Sequence, residues 1–315
     1  MLRMSAIGLV LASALGLWYS TRGPHDEFAT LSGHKDGIFC LSLSPDGTSV
    51  ASGGGDGTVR IWDLEDRSQE AVLRGHTGRV LGLAWSPDGT TIVTGGNDNS
   101  IRIWDLTSGK EVSVWANLPR PVRGLDISDD GKTVAAALGM DVYYWPIDNR
   151  DARRVLRGHR QPISGFAFLP GGQELVTFAS DKTVRIWDLA TSQAVAVMPG
   201  PSGHCYGLVL SANGKTIACV GGARVHLYDA QQRVPLDPVE PNAHILCGAA
   251  ISSDGRTLAI GSQDKVIVVW DIPGKRERAR LNGHDFAVGP MVFLPDGHTL
   301  VTSSHDSTLK LWKVN

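Results

Sequence analysis

The hexapeptide Thr58-Val59-Arg60-Ile61-Trp62-Asp63 recurs along the chain and indicates its fold. It returns as Ser100-Ile101-Arg102-Ile103-Trp104-Asp105 and Thr183-Val184-Arg185-Ile186-Trp187-Asp188, and in weaker form at residues 266–271 and 308–313. Seven copies, two of them eroded, end on the aromatic residues Trp62, Trp104, Trp145, Trp187, Tyr228, Trp270 and Trp312. These aromatics are spaced by 42, 41, 42, 41, 42 and 42 residues. Because this period is that of a four-stranded propeller blade, the sequence predicts one repeat array.

The charge balance excludes some classes of partner. The 315 residues include 30 Lys and Arg against 32 Asp and Glu, for a net charge of −2. This balance gives no overall field for nucleic acid or anionic lipid, so we expect no nucleic-acid partner. The four cysteines have no metal-ligand spacing and are expected to be small buried residues. The glycine run at residues 53–57 lacks the ending of a phosphate-binding loop, and no cofactor is predicted.

The amino-terminal segment is apolar. No charged residue lies between Arg3 and Arg22, and a helix of about 18 residues would span roughly 27 Å. We therefore predict a hydrophobic helix outside the ring, with residues 1–23 acting as a signal anchor, a single-pass tether that places the rest of the chain across a membrane. A cleaved signal peptide is the alternative, because Ala12-Ser13-Ala14 is a small-x-small site. A third alternative is a miscalled start, since Met4 can also initiate, and the protein would then be cytoplasmic.

Each strong repeat contains the same turn signals. The tetrapeptide Ser44-Pro45-Asp46-Gly47 returns as Ser86-Pro87-Asp88-Gly89. Proline presets the turn dihedral, aspartate bonds its own backbone, and glycine accepts a positive φ. Gly33-His34 precedes the first of these turns, and between the signals lie short alternating segments typical of strands with two different faces.

These motifs together resemble the WD-repeat β-propeller family. The resemblance rests on Gly-His, Ser-Pro-Asp-Gly, the Asp six residues before Trp, and Trp-Asp, and it covers residues 27–315. It implies an all-β fold, a seven-bladed propeller with four antiparallel strands per blade around a central channel. The chain ends just after Trp312, so the seventh blade would lack its outermost strand. Residues 28–31 are expected to supply that strand, clasping the first blade to the last and covering an open sheet edge.

Four repeats contain a complete set of polar residues at fixed spacing, with His 22 residues and a hydroxyl four residues before Asp, and Trp six residues after it. The sets are His34, Ser52, Asp56, Trp62; His76, Thr94, Asp98, Trp104; His159, Thr177, Asp181, Trp187; and His284, Thr302, Asp306, Trp312. The family resemblance implies one hydrogen-bonded network within each blade, in which three donors compensate a desolvated carboxylate. The alternative is a hydrolytic triad, but an active site is normally one constellation, and this one occurs four times. We predict no catalytic residues.

Blades 3, 5 and 6 depart from the pattern. Blade 3 has no Gly-His and only four residues from Asp141 to Trp145. Blade 5 has Gly222 where Asp belongs, and blade 6 has Asn242 and Ile260 at the His and hydroxyl positions. Losing a whole network leaves no half-satisfied charge, so these blades are expected to be the softer part of the ring.

Partner-binding residues are predicted at the positions three and five after each framework His and one before each Asp, which the family places at the channel mouth. They are Phe39, Arg79, Leu81, Asn97, Arg123, His204, Tyr206, Gln263 and His305. Arg and aromatic residues dominate interface energetics. A metal site through His204 and His305 is the alternative, but no third ligand accompanies them. Two basic clusters are assigned to outermost strands as edge protection, with binding of nucleic acid or an acidic partner along the rim as the alternative: Arg150, Arg153, Arg154, Arg157 and Arg160, then Lys275, Arg276, Arg278 and Arg280.

The sequence thus predicts a non-catalytic protein–protein interaction scaffold. We expect a monomeric ring that binds protein or peptide partners, membrane-anchored or exported through its first residues. The alternatives are a structural subunit of a larger assembly, or a propeller enzyme with a site at the channel mouth, which would need convergent carboxylates there.

Overall fold

The structure is a computed structural model that describes residues 27–201 and 205–314, without the side chains of Cys205 and Tyr206. Its strands form seven four-stranded antiparallel sheets, which are the seven blades predicted. The predicted hydrophobic helix of residues 1–23 lies outside the described residues. Within residues 27–201 and 205–314, no helix is long and apolar enough to cross a membrane.

Each of the first four blades is built from consecutive strands, the first innermost and the last outermost. Blade 1 contains β2 (Ile38–Leu43), β3 (Ser49–Gly54), β4 (Thr58–Asp63) and β5 (Ser68–Arg74). Blade 2 contains β6 (Val80–Trp85), β7 (Thr91–Gly96), β8 (Ile101–Asp105) and β9 (Lys110–Trp115). Blade 3 contains β10 (Gly124–Ile127), β11 (Thr133–Leu138), β12 (Asp141–Pro146) and β13 (Arg154–Leu156). Blade 4 contains β14 (Ile163–Phe168), β15 (Glu174–Ala179), β16 (Thr183–Asp188) and β17 (Gln193–Pro199).

The last three blades complete the ring. Blade 5 contains β18 (Cys205–Leu210), β19 (Thr216–Gly221), β20 (Arg224–Asp229) and β21 (Val234–Pro235). Blade 6 contains β22 (Leu246–Ile251), β23 (Thr257–Ser262), β24 (Val266–Asp271) and β25 (Arg276–Asn282). Blade 7 contains β26 (Val288–Phe293), β27 (Thr299–Ser304), β28 (Thr308–Lys313) and β1 (Glu27–Ser32). The innermost strand of each blade contacts that of the next, and β26 contacts β2, so the ring is closed.

The closing strand of blade 7 comes from the other end of the chain. Strand β1 pairs antiparallel with β28, with Leu31 opposite Leu309 and Ala29 opposite Leu311. Leu31 is 3% exposed and packs between blades 7 and 1. Lys310 Nζ also reaches Glu27 Oε1 at 2.8 Å. The predicted clasp is therefore confirmed, and main-chain hydrogen bonds replace covalent closure.

The hydrophobic core is divided among the blade interfaces. Seven buried clusters are present, and each joins two neighbouring blades. The closing aromatic of a blade packs toward the preceding blade: Trp104 lies with Ile61 of blade 1, and Trp62 lies with Leu311 of blade 7. Because every interface has its own core, the ring is stabilised segment by segment rather than from one centre.

One strand extends further than the sequence predicts. The glycine-rich residues 53–57 predict a turn, but β3 continues through Gly53 and Gly54. A Cβ atom on Gly53 would lie 2.7 Å from Val80 Cγ1 of blade 2, so the glycine permits blade 2 to approach. The turns behave as predicted: Gly47 has a φ of +74° and Ser44 Oγ donates to Asp46 Oδ1 at 2.6 Å.

Candidate interaction face

The innermost strands all begin on one side of the ring, which we call the upper face. This face carries the loop before each innermost strand and the turn between the second and third strands of each blade. The framework His lies in that loop and the framework Asp in that turn. The lower face carries turns such as residues 44–47, and the rim consists of the outermost strands.

The structure brings the four residues of the blade 1 set together. His34 Nδ1 lies 3.1 Å from Asp56 Oδ1, and His34 Nε2 lies 2.8 Å from Ser52 Oγ. The indole N–H of Trp62 donates to the same Ser52 Oγ at 2.8 Å. A carboxylate can only accept, so Nδ1 donates to Asp56 and Nε2 accepts the hydroxyl proton. The chain of donors therefore runs from Trp62 through the hydroxyl and imidazole to the carboxylate.

The other three sets repeat this geometry. The imidazole Nδ1 lies 2.9 Å from Asp98, 2.9 Å from Asp181 and 2.8 Å from Asp306. The hydroxyl oxygens bonded to the imidazole and the indole belong to Thr94, Thr177 and Thr302. All four hydroxyl residues are 0% exposed, so no substrate can reach the oxygen that a hydrolase would use as nucleophile. The sets are built as internal braces.

Each carboxylate also fastens the main chain of the upper face. Asp56 accepts the N–H of Lys35 at 2.9 Å and the N–H and hydroxyl of Thr58 at 3.0 and 2.7 Å. Burial opposes ionisation of Asp56, but these donors and His34 together hold its pKa at about 2. Burial lowers the pKa of His34, and Asp56 offsets only part of that shift. The imidazole is therefore neutral and the carboxylate ionised at neutral pH.

The glycine of each Gly-His pair is required by packing. A Cβ atom on Gly33 would lie 2.7 Å from Arg60 Nη1 and 3.1 Å from Trp62 Cη2. Gly75 has the same surroundings, with Arg102 Nη1 at 2.7 Å and Trp104 Cη2 at 3.0 Å. The indole can reach its hydroxyl only because the chain before the histidine has no side chain.

Blades 3, 5 and 6 fill the same space differently. The hydroxyl position is taken by Ala136, Cys219 and Ile260, each buried in an interface cluster. In blade 6, Asp264 keeps a main-chain donor, the N–H of His244 at 2.9 Å. In blade 3, Asp126 in β10 accepts the N–H of Phe168 in blade 4 at 2.9 Å, a carboxylate bond between neighbouring blades. Burial raises the pKa of Asp126 to about 6.

Four of the predicted partner-binding residues form one group near the channel mouth. The rings of Phe39 and His305 lie 5.0 Å apart, and Arg79 Cζ lies 5.2 Å from the centre of the Phe39 ring. The main-chain N–H of Asn97 donates to Arg79 O at 2.8 Å. The group therefore joins blades 7, 1 and 2 across the upper face, with Arg79, Asn97 and His305 exposed.

The other predicted residues are dispersed or not described. Gln263 and Arg123 are exposed on the upper face in blades 6 and 3, and Leu81 is half-buried in β6. His204 lies outside the described residues. Tyr206 lies in β18, but its side chain is not described. Among the described residues, no group of three His, Cys, Asp or Glu side chains is placed to hold a metal ion.

Some exposed residues of the upper face were missed by the sequence analysis. Phe286 is 61% exposed and Ile245 is 44% exposed, in the loops before β26 and β22. The bond from Gln263 N to Ile245 O repeats the bond from Asn97 N to Arg79 O, so Ile245 occupies the position three after a framework His. The sequence contains this equivalence, because Asn242 stands at the His position of blade 6, but the prediction took only Gln263 from that blade. Phe286 lies only two residues after His284, a position that the prediction did not sample.

Some basic residues of the rim form hydrogen bonds between neighbouring blades. Of the first predicted cluster only Arg154 lies within an outermost strand, because β13 is three residues long; Arg160 belongs to the upper face. Arg154 donates to Leu189 O and Ala190 O of blade 4 at 3.0 and 2.9 Å. Arg150 donates to Ala116 O at 2.8 Å, and Arg280 is bonded to Glu277. The bonds of Arg154 and Arg150 join neighbouring blades, and Glu277 neutralises the charge of Arg280. The basic residues of the rim are therefore not a free basic patch.

A cleft of about 750 Å³ opens between blades 1 and 2 on the lower side. Its floor includes Ile61, Trp85 and Leu106. The carboxylates of Asp46 and Asp88 at its edge are turn residues already bonded to Ser44 and Ser86. The cleft is therefore a consequence of the angle between two blades.

The fold and the braced upper face define a β-propeller of the WD-repeat class, and sequence comparison shows the same family. The family described as WD domain, G-beta repeat matches residues 26–63, 67–105, 151–188, 240–271 and 275–313. Because these segments make up more than half of the chain, the protein belongs to the WD-repeat family. Most of blades 3 and 5 lies outside the matched segments, consistent with their eroded motifs.

Individual relatives match about half of the chain. Nuclear distribution protein PAC1 of Coccidioides posadasii (strain C735) is 29% identical over 200 residues, covering 54% of this chain and 42% of the relative. WD repeat-containing protein VIP3 of Arabidopsis thaliana is 29% identical, covering 51% and 55%. Protein SPA1-RELATED 3 of the same plant is 33% identical over 138 residues, covering 43% and 16%. The chain thus spans less than two thirds of the length of each.

Proposed function

We propose that this protein is a non-catalytic interaction scaffold that binds a protein or peptide partner on its upper face. The observation that carries the proposal is the group formed by Phe39, Arg79, Asn97 and His305 near the channel mouth, in which Arg79, Asn97 and His305 are exposed. An aromatic ring with a guanidinium over its face is of the type that supplies much of the binding energy at protein interfaces.

The framework beneath this group makes the surface rigid. Each complete set fastens an upper-face loop to a turn of the same blade, as Asp56 does with the N–H of Lys35. A rigid surface loses little conformational entropy on binding, so more of the contact energy appears as affinity. The arrangement thus supports binding rather than a reaction, because the hydroxyls it contains are buried.

The proposal is tested by partner capture with two matched variants. We expect Arg79→Ala combined with Asn97→Ala to lose the partners that the native protein recovers. The control is Val112→Ala combined with Val197→Ala on the rim, which removes side chains that are 59% and 56% exposed. Equal recovery by both variants would reject the upper face. Loss of recovery only in the rim variant would favour the alternative, a structural subunit held through its edge.

We also propose that the ring is a monomer and that residues 27–315 form its propeller domain. Light scattering of the purified chain tests the first point, and a concentration-independent dimer mass would reject it. We propose further that residues 1–23 act as a signal anchor, or as a cleaved signal peptide, so that the propeller is tethered to a membrane or exported. The apolar run between Arg3 and Arg22 supports this. The mass of the mature amino terminus distinguishes a retained segment from a removed one, and recovery in the soluble cytoplasmic fraction would reject both.

A further inference from the structure

The charges of the upper face are unevenly distributed among the blades. Five basic side chains are exposed at the upper ends of blades 2, 3 and 4, and we call them the basic sector. They are Arg79, Arg120, Arg123, Arg160 and Lys182. Within the described residues none of the five forms an ion pair, whereas the nearby Arg157 lies 3.8 Å from Asp141. Two carboxylates in this region, those of Asp98 and Asp181, are largely occupied by their own histidines and main-chain donors, and the third, that of Asp141, faces Arg157.

Several of these basic groups are held in place. Arg79 lies over the Phe39 ring, and the Arg120 side chain lies over Gly139, with its Cδ 3.8 Å from where a Cβ of that glycine would be. Arg120 stands between Pro119 and Pro121, which restrict the backbone of its loop. A positioned guanidinium loses less side-chain entropy on binding a carboxylate than a mobile one does.

The opposite part of the face contains most of the exposed acidic residues. Asp36, Asp264 and Asp285 are exposed in blades 1, 6 and 7, together with the basic residues Lys35 and Lys265. Two of the three large exposed apolar residues described on the upper face, Phe286 and Ile245, are in the same part, and the third, Met140, lies in the basic sector. Lys265 Nζ lies 5.8 Å from the Phe286 ring. We call this region the apolar sector. The group of Phe39, Arg79 and His305 lies between the two sectors.

We infer that the upper face takes a peptide segment that places acidic side chains on the basic sector and an apolar side chain on the apolar sector. The inference rests on the proposed function and specifies the chemistry of its partner. Charge complementarity favours an acidic end of the peptide at the basic sector, because carboxylates would neutralise cationic groups that have no ion pair of their own. In the apolar sector the three exposed acidic residues outnumber Lys35 and Lys265, which disfavours the reverse orientation of the segment.

The test uses a labelled peptide that has four glutamates, a Gly-Ser spacer and a terminal Leu-Phe, with glutamine and lysine versions as matched probes. Fluorescence anisotropy with the full chain should show binding of the glutamate peptide that weakens as salt is raised. The variant Arg120→Gln with Arg123→Gln should bind about tenfold more weakly, a loss of roughly 1.4 kcal/mol. Arg153→Gln with Arg276→Gln on the rim removes the same charge and should bind like the native protein.

Two further variants keep the test independent of folding. Lys182 adopts a φ of +66°, which glycine tolerates better, so the Lys182→Gly variant should fold normally and still bind the glutamate peptide more weakly. Phe286→Ser should also weaken the binding of this peptide, but without changing how that binding depends on salt. Equal binding of the glutamine peptide, equal loss in the rim variant, or tighter binding of single-stranded oligothymidine to the same residues would overturn the inference. If these probes fail while Arg79→Ala with Asn97→Ala still abolishes partner capture, the proposed function stands and only the acidic-peptide assignment is lost.

Discussion

Ser52, Thr94, Thr177 and Thr302 each hold one hydroxyl between an imidazole and an indole, with no exposure to solvent. The sequence spacing was sufficient to predict which four side chains would meet. The spacing could not show which main-chain N–H groups the carboxylate accepts, such as the N–H of Lys35. Every residue except proline has a main-chain N–H, so residue type does not identify the donor.

Removing one framework hydroxyl should cost much more than removing an ordinary one. Thr94→Val keeps the shape but leaves His76 Nε2 and Trp104 Nε1 without a partner, so we expect about 1–3 kcal/mol of lost unfolding free energy. Urea denaturation measures this. Thr91→Val on the same strand is the control, because within the described part of the chain its hydroxyl makes only a weak hydrogen bond, to the Thr90 hydroxyl at 3.5 Å. Equal losses for the two variants would show that the network contributes no stability.

The framework histidines predict the effect of mild acid. Burial lowers the pKa of His34, His76, His159 and His284 below the ordinary value of 6.5, so the unfolded chain binds more protons than the folded one. Their contribution to stability is therefore complete above pH 6.5 and is lost as the pH falls below it. The urea midpoint should fall as the pH is lowered from 7 to 5, and a midpoint that is constant or rises over that range would contradict a neutral imidazole in the fold.

Asp126 acts in the opposite direction. Its folded pKa of about 6 exceeds the ordinary 3.8, so its contribution is present at low pH and is lost as the pH rises toward and through 6. Asp126→Asn removes the charge and keeps one oxygen that can accept the N–H of Phe168, but it loses the bond from the N–H of Ile127 to the other oxygen at 2.9 Å. We expect the removed buried charge to outweigh that lost bond. At pH 7 we expect the variant to raise the free energy of unfolding by on the order of 1–2 kcal/mol. Below pH 7 the variant should lose stability more steeply than the native protein, because protonation of Asp126 no longer offsets the effect of the framework histidines. A destabilised variant at pH 7 would show that the ionised carboxylate is favourable between the blades.

At the scale of strands and blades, closure depends on β1. This strand contributes Leu31 to the interface of blades 7 and 1 and pairs along β28. Its role could be predicted, because the seventh repeat ends one strand early and residues 28–31 precede the first Gly-His. The extension of β3 through Gly53 could not, because it depends on contact with Val80 of the next blade.

Leu31→Ala should open the clasp. Truncating a leucine that is 3% exposed costs about 2–4 kcal/mol, and here the loss falls on the strand that joins the chain ends. Native-state hydrogen exchange should show faster exchange in β28 and β1, with little change in β16 of blade 4. The exposed neighbour Ser32→Ala is the control. A uniform change in all blades would mean that β1 does not act as a local clasp.

At the scale of the whole molecule, residues far apart in sequence become neighbours around a ring. Arg79 and Lys182 belong to blades 2 and 4, and their relation is visible only once the blades are placed in order. The period predicted that order, and the framework spacing predicted Phe39, Arg79 and His305 as residues of the channel mouth. The uneven distribution of charge was not predicted, since Arg120 lies in blade 3, which has no framework His, and Phe286 lies two residues after His284, outside the positions used for the prediction. The net charge of −2 conceals both sectors.

The central claim, that the upper face is the binding surface, is tested most directly by site-specific photo-crosslinking. A photoreactive residue is introduced in place of Asn97, which is exposed on the upper face, and separately in place of Val112, which is 59% exposed on the rim. The account predicts that protein partners are crosslinked from position 97 and not from position 112. Crosslinking from position 112 alone would contradict it.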